Sequence, residues 1–222
     1  MTLGRPAKFS EGQLLDSALA IVAEEGPGAA TMAAIAARLG APAGSLYHRF
    51  SSRDHLLATL WIRGVRRFQQ GFTAALSADD AVAAALHTPA WCREHPAEAA
   101  MLLLYRRENL ARQWPGELGD DLDGLNARAS AALTAFAARH PGTGRERLVF
   151  AVVDVPCGAV RRYLVQRSAP PALVDELIVA ACRAVLPAES SSRGRPTGTS
   201  PACIGHRCRR VNYCEDFLVS EH

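Results

Sequence analysis

Residues 31–57 read Thr31-Met-Ala-Ala-Ile35-Ala-Ala-Arg-Leu39-Gly40-Ala-Pro-Ala-Gly-Ser45-Leu-Tyr-His-Arg-Phe50-Ser-Ser-Arg-Asp-His55-Leu-Leu57. Ile35 and Leu39 lie one helical turn apart, and Ala36 is small enough for a second helix to approach closely. Gly40 follows the last periodic residue, where a helix end favours a left-handed conformation. Leu46 and Phe50 then give a second, short helix its apolar side. Two helices joined by a short Gly-containing turn form the bihelical unit whose second helix enters the DNA major groove. An ordinary Ala-rich helical hairpin shares this layout, so the discriminating evidence lies in what surrounds it.

Upstream, Phe9-Ser10-Glu11-Gly12-Gln13-Leu14 is a helix start. Ser10 and Gln13 form a capping box, and Phe9 with Leu14 a hydrophobic staple. Leu14, Leu15, Ala18, Ile21 and Val22 hold a helical period until Gly26-Pro27-Gly28 breaks it. Thr31 caps the next helix. Downstream, Ser52 caps a long helix with Asp54 in its first turn and Leu56, Leu57, Leu60, Gly64 and Phe68 on its buried face. From Ala78 onward every periodic stretch is helical: 97–113, 122–138, 148–165 behind a Thr143–Glu146 capping box, and 173–186. Pro156 interrupts the 148–165 stretch and is expected to kink it, because it cannot donate to the Val152 carbonyl. No alternating strand pattern occurs. The expectation is an all-α chain: a three-helix helix-turn-helix domain over 8–68, a helical-bundle domain over 69–187, and a tail from 188 in which apolar periodicity stops.

The chain has 222 residues, 49% of them hydrophobic, and a formal charge of +3. Across residues 1–70, one Lys and seven Arg face five acids, a net +3; across 71–187, twelve Arg face thirteen acids, a net −1. The positive excess therefore sits with the helix-turn-helix, as a phosphate-binding surface requires. No apolar run is long enough for a membrane span, and the N-terminus, with Arg5, Lys8 and Glu11, has no signal-peptide pattern. A cytoplasmic location is expected. Cys92, Cys157 and Cys182 are isolated and read as small reduced apolar residues. Cys203, His206, Cys208 and Cys214 match no zinc-binding spacing, so no metal site and no cofactor are expected. Heavy Arg and Ala use beside a single Lys suits a high-GC bacterial genome.

The pairs Ile35-Ala36, Leu39-Gly40 and Leu46-Tyr47, together with Phe50, Ser52-Arg53 and Leu56-Leu57, resemble the TetR family of bacterial transcriptional regulators over about residues 4–72. Two positions depart from the family pattern. Pro42 stands where a Ser or Thr often caps the recognition helix, and Ala33 stands where many members carry a basic residue. The resemblance implies a homodimer on a palindromic double-stranded operator, a second domain that binds a small-molecule effector, and no enzymatic activity. It also implies that Tyr47 gives its hydroxyl to a phosphate and that His48 reaches a phosphate or a base.

From the residues themselves, Ala43 and Gly44 allow close backbone approach, and Ser45 suits a base edge or a phosphate. Thr31 and Arg53, each at a helix N-terminus, suit phosphate anchoring. Arg5, in a basic Gly4-Arg5-Pro6 arm, suits a neighbouring minor groove. For the effector, Trp91, Met101, Tyr105, Trp114, Phe136 and Phe150 are candidates for an aromatic-rich wall, with Asp154 beside Pro156 as a polar contact; each is equally readable as plain core. Val174, Leu177, Ile178, Ala181 and Val185 form an apolar stripe on the last helix, supplemented by Val152, Val160, Tyr163 and Leu164, and such a helix pair builds a four-helix dimer interface in the family. The leading expectation is a repressor released from DNA by a small, largely apolar ligand. The alternatives are an all-α ligand carrier or an enzyme without DNA binding. No Gly-x-Ser-x-Gly elbow, His-Glu-x-x-His, P-loop or Rossmann glycine pattern supports the enzyme.

Overall fold

A computed structural model describes residues 9–105, 116–118, 121 and 124–186, and among them every regular element is helical. Helix α1 (Glu11–Glu25) begins at the expected capping box: Ser10 Oγ accepts from the Gln13 N–H at 3.2 Å, and the Gln13 side chain accepts from the Ser10 N–H at 2.7 Å. It stops at Gly26, whose φ of 88° suits glycine, and a 3₁₀ turn (Pro27–Ala29) leads on. Helix α2 (Met32–Leu39) is capped by Thr31 Oγ1, which accepts from the Ala34 N–H at 3.1 Å. Gly40 ends it in the left-handed region at φ 62°, and the Ala41 N–H reaches back to the Ala36 carbonyl. Helix α3 (Ala43–Tyr47) follows two residues later with no side-chain cap at Pro42.

Helix α4 (Arg53–Ser77) is capped by Ser52 and runs for 25 residues. At 1.5 Å per residue it is about 37 Å long. Its first turns bury Leu56 and Leu57 with Leu14, Ile21, Ile35, Leu46 and Phe50, whereas Phe68, Phe72 and Leu76 belong to the core of the second half. Helices α5 (Ala81–Glu94), α6 (Pro96–Leu104), α7 (Ala127–Arg139), α8 (Arg145–Val149), α9 (Val155–Val165) and α10 (Ala172–Val185) complete the bundle. α5 packs on α4, α9 and α10; α6 packs on α1 and α9; α7 packs on α4. Both halves therefore share α4, and their buried residues form one continuous cluster.

Several expectations need correction. The 97–113 helix starts at Pro96 and stops at Leu104, because Tyr105 is extended at φ −115° and ψ 137°. The 122–138 helix begins at Ala127. The Thr143–Glu146 capping box does not form: Gly144, at φ 68°, takes the cap position and Thr143 is buried. A π-helical turn (Phe150–Asp154) joins α8 to α9, and its wider loop absorbs the Pro156 ring and the missing donor. The stripe on the last helix divides in two. Val174, Ile178 and Cys182, spaced by four, bury against the bundle, while Leu177 is 56% exposed beside Leu173. Val152, Val160 and Leu164 are likewise interior residues of this chain. The tail from 188, with Cys203, His206, Cys208 and Cys214, lies outside the described residues, as do Arg5 and Trp114.

Candidate nucleic-acid interface

α3 is held from below and presented from above. Leu46 and Phe50 are buried in the core, and the Phe50 ring stands edge-on to His55. That leaves Gly44, Tyr47 and His48 on the outer side, with Tyr47 56% exposed. An aromatic side chain this exposed suits contact with a partner. Ala43 is the first residue of α3, and Gly44 has open space where a side chain would stand. Ser45 is half-buried and donates its hydroxyl to the Pro42 carbonyl at 2.6 Å. Its oxygen lone pairs remain as acceptors. Thr31 is exposed at the start of α2, with its Oγ1 engaged as a cap.

Arg53, expected as a phosphate anchor, also makes internal bonds. Its Nε donates to the Ala30 carbonyl at 2.9 Å, one terminal nitrogen donates to the Pro27 carbonyl, and the other meets Asp54. The side chain thus pins the 3₁₀ turn between α1 and α2 onto the start of α4. Arg38 adds a second internal tie: its two terminal nitrogens grip both Glu24 oxygens at 2.7 Å, and the guanidinium holds the Glu24 carboxyl below its ordinary range. These ties orient α2 and α3 as a unit against α1 and α4.

The effector candidates are distributed rather than gathered on one wall. Trp91 is buried where α4, α5 and α6 meet, 5.8 Å from the Phe68 ring and 4.2 Å from His95. Met101 is fully buried, and its terminal methyl lies against Gly64 of α4. Tyr105 is half-buried with its hydroxyl near Gly26. Phe136 packs on His140 at the far end of the bundle, and Phe150 is 46% exposed. Asp154 is half-buried at the end of the π-helical turn. Period-based reading cannot separate these locations, because helical spacing does not say which neighbouring element each side chain meets.

A polar cluster around Trp91 was missed. Glu98 is 3% exposed and one of its oxygens takes Arg67, but among the described residues Oε2 has no hydrogen-bond partner. Trp91 Nε1 and Thr88 Oγ1 are also buried, with no hydrogen-bond partner among the described residues. His87 stands 4.7 Å from the Phe68 ring and bonds the Phe68 carbonyl at 2.8 Å; burial pushes its pKa below 6.5. Buried polar groups without partners are costly and mark places where a ligand or water is wanted. Glu98 sits in the first turn of α6, where an acid is ordinarily read as a dipole partner. Only the tertiary packing of α4 against α6 reveals its burial.

Residues 14–60 match the family described as bacterial regulatory proteins, tetR family. No curated protein matches the chain. Among solved structures, the fold is similar to a protein described as a tetR family transcription regulator from Shewanella sp. PV-4, with a TM-score of 0.60 and 18% identity over 81% of this chain and 98% of that one. The fatty acid degradation regulator FadR from Bacillus halodurans follows at a TM-score of 0.57 and 16% identity, over 77% of this chain and 98% of that one. FadR from Bacillus subtilis, solved with stearoyl-CoA, gives 0.53 and 16% identity over 80% of this chain and 98% of that one.

Proposed function

We propose that this chain, which carries the helix-turn-helix domain of the tetR family at its N-terminus, is a sequence-specific DNA-binding repressor released by a small, largely apolar ligand. The observation that carries the DNA-binding reading is α3: buried on Leu46 and Phe50, open on Gly44, Tyr47 and His48, and reached through a tight left-handed turn at Gly40. Such a helix lies in the major groove, with Tyr47 on a phosphate, His48 on a phosphate or base, and Ser45 on a base edge.

Two copies are needed for a palindromic site, and α10 supplies a surface for pairing. Leu173, Leu177, Ala180 and Ala184 recur at helical spacing on its exposed face. Val165 near the end of α9 is a further exposed apolar residue, at 63%. Small and apolar residues in one stripe allow close helix packing between subunits. The effector enters the second half, where the unpartnered Glu98 and Trp91 atoms offer polar contacts in an otherwise apolar setting. α4 links that place to α3, since Arg67 and Phe68 face the cluster while Leu56 and Leu57 support the DNA-binding helices. A ligand that favours one position of α4 would change the spacing of the two recognition helices. A solved complex with stearoyl-CoA exists for a protein of this fold, which supports a ligand with a long apolar part.

The test is selection of bound duplexes from a randomised library. A two-fold site with half-sites about 34 Å apart supports the reading. Recovery of unrelated sequences with no dyad would overturn it.

A further inference from the structure

A cleft of about 420 Å³ opens between α1, α6 and the end of α9, and neither Trp91 nor Glu98 lines it. Its walls come from Ala23 near the end of α1, Pro96, Ala97 and Ala100 on α6, Leu164 on α9 and the connection to α10. Cys92 is also part of the lining, and burial pushes its thiol up to about 12, so it is a neutral, apolar wall group. Two arginines border the cleft. Arg93 is already paired: it donates to the Pro170 carbonyl at 2.9 Å and pairs with Asp175 at 2.7 Å. Arg167 is different. Among the described residues no carboxylate lies within ion-pair distance of it, and its Nη2 donates to the Glu24 backbone carbonyl at 2.8 Å.

The backbone at Arg167 is the second observation. It ends α9 at φ 54°, with its N–H on the Leu164 carbonyl and the Ser168 N–H on the Tyr163 carbonyl. This is the left-handed helix stop that glycine ordinarily fills. Arginine there is strained, and strain at such a position points to a use for the side chain. The visible use is the tie to α1, whose next link is the Glu24 carboxylate gripped by Arg38 of α2. The Glu24 carboxylate is hydrogen-bonded by Arg38; Arg167 acts on it only through space, and the hydrogen bond of Arg167 to α1 goes to a neutral carbonyl.

We propose that this cleft is a second effector site, for an amphiphile with an apolar body of about eight carbons and one carboxylate gripped by Arg167. A carboxylate forms a charge-assisted and often bidentate contact with a guanidinium, which is stronger than the bond to a carbonyl. The bound carboxylate draws Arg167 off Glu24, unfastens the α9–α10 connection from α1, and lowers DNA affinity. The coupling part rests on the DNA-binding reading; the binding part does not.

Titration calorimetry of the full chain with octanoate and with 1-octanol, in the absence of DNA, tests the site. Octanoate is expected to bind once per chain, roughly tenfold or more tighter than octanol. Arg167→Gly relieves the left-handed strain, so it melts at the same or a higher temperature, yet loses that tenfold preference. Ala97→Trp fills the cleft and abolishes binding of octanoate. Absence of octanoate binding, or binding that neither substitution alters, overturns the site. Gel shifts then test the coupling: octanoate weakens the DNA complex of the unaltered chain and has no effect on Arg167→Gly. Octanoate bound through Arg167 with undiminished DNA affinity overturns the coupling. A chain that binds octanoate through Arg167 but no DNA leaves the site standing and overturns the DNA-binding function.

Discussion

Tyr47 and Arg53 separate contact from support. Tyr47 faces outward and its hydroxyl holds nothing inside, so Tyr47→Phe is expected to leave the melting temperature unchanged and to weaken DNA binding about tenfold, measured by fluorescence anisotropy. Arg53 fastens the Ala30 and Pro27 carbonyls, so Arg53→Gln should lower stability by about 1.5–3 kcal/mol in urea unfolding, with DNA binding reduced through the loosened helices. Two glycines of α4 make a second pair. A Cβ at Gly71 would lie 2.3 Å from His87 Cε1, and that ring is wedged between Phe68 and Trp91. Gly71→Ala is expected to cost about 1–3 kcal/mol despite the better helix propensity of alanine. At Gly64 the nearest atom is the mobile end of Met101, so Gly64→Ala should be near neutral in the same unfolding assay. His87 also gives a pH dependence. Its folded pKa lies below 6.5, so the unfolded chain binds the proton first. Its contribution to stability is full above that value and is lost as pH falls from 6.5 toward the folded pKa. Melting temperature should fall across that window, and His87→Gln should flatten the fall. The depressed Asp79 and Glu24 carboxyls act in a separate, more acidic window.

At the scale of elements, the exposed face of α10 predicts association. Leu173→Glu with Leu177→Glu places two charges on the outer stripe without touching Val174, Ile178 or Cys182 inside. The double variant should remain helical by circular dichroism and sediment as a monomer where the unaltered chain sediments as a dimer; unchanged sedimentation would remove this face as the interface. The same helix shows what the sequence could and could not disclose. A 3.6-residue period marks apolar positions, but Leu177 and Ile178 are adjacent in the period and only neighbouring helices decide which one is buried. Local chemistry was more legible. Ser10 with Gln13, Thr31, Gly40 and Ser52 specify helix ends through bonds within four residues, and all of them form. Thr143 failed because Gly144 was free to take a left-handed cap, an option that Thr-x-x-Glu spacing does not reveal. Pro156 was read correctly as a disturbance, but its resolution into a π-helical turn depends on packing of α8 and α9 against the bundle. The polar cluster was illegible for a related reason. Arg67 and Glu98 are 31 residues apart, and nothing local couples them.

For the whole molecule, α4 is the member common to both halves, and the regulator reading depends on its moving as one rod. Its ion pairs run in both directions: Arg63 to Asp16 of α1, and Arg67 to Glu98 of α6. The charge distribution agrees with a DNA partner, since the net excess of +3 sits in residues 1–70. Everything beyond the fold depends on whether α3 reads a base sequence. The direct measurement is a competition gel shift on duplex DNA from the region flanking the protein's own gene, with random duplex as competitor at fixed salt. The account predicts a saturable complex that survives about a thousandfold excess of random duplex and is lost when Tyr47 is replaced by Ala. Displacement by random duplex at equal concentration, or no complex with any fragment, would contradict it.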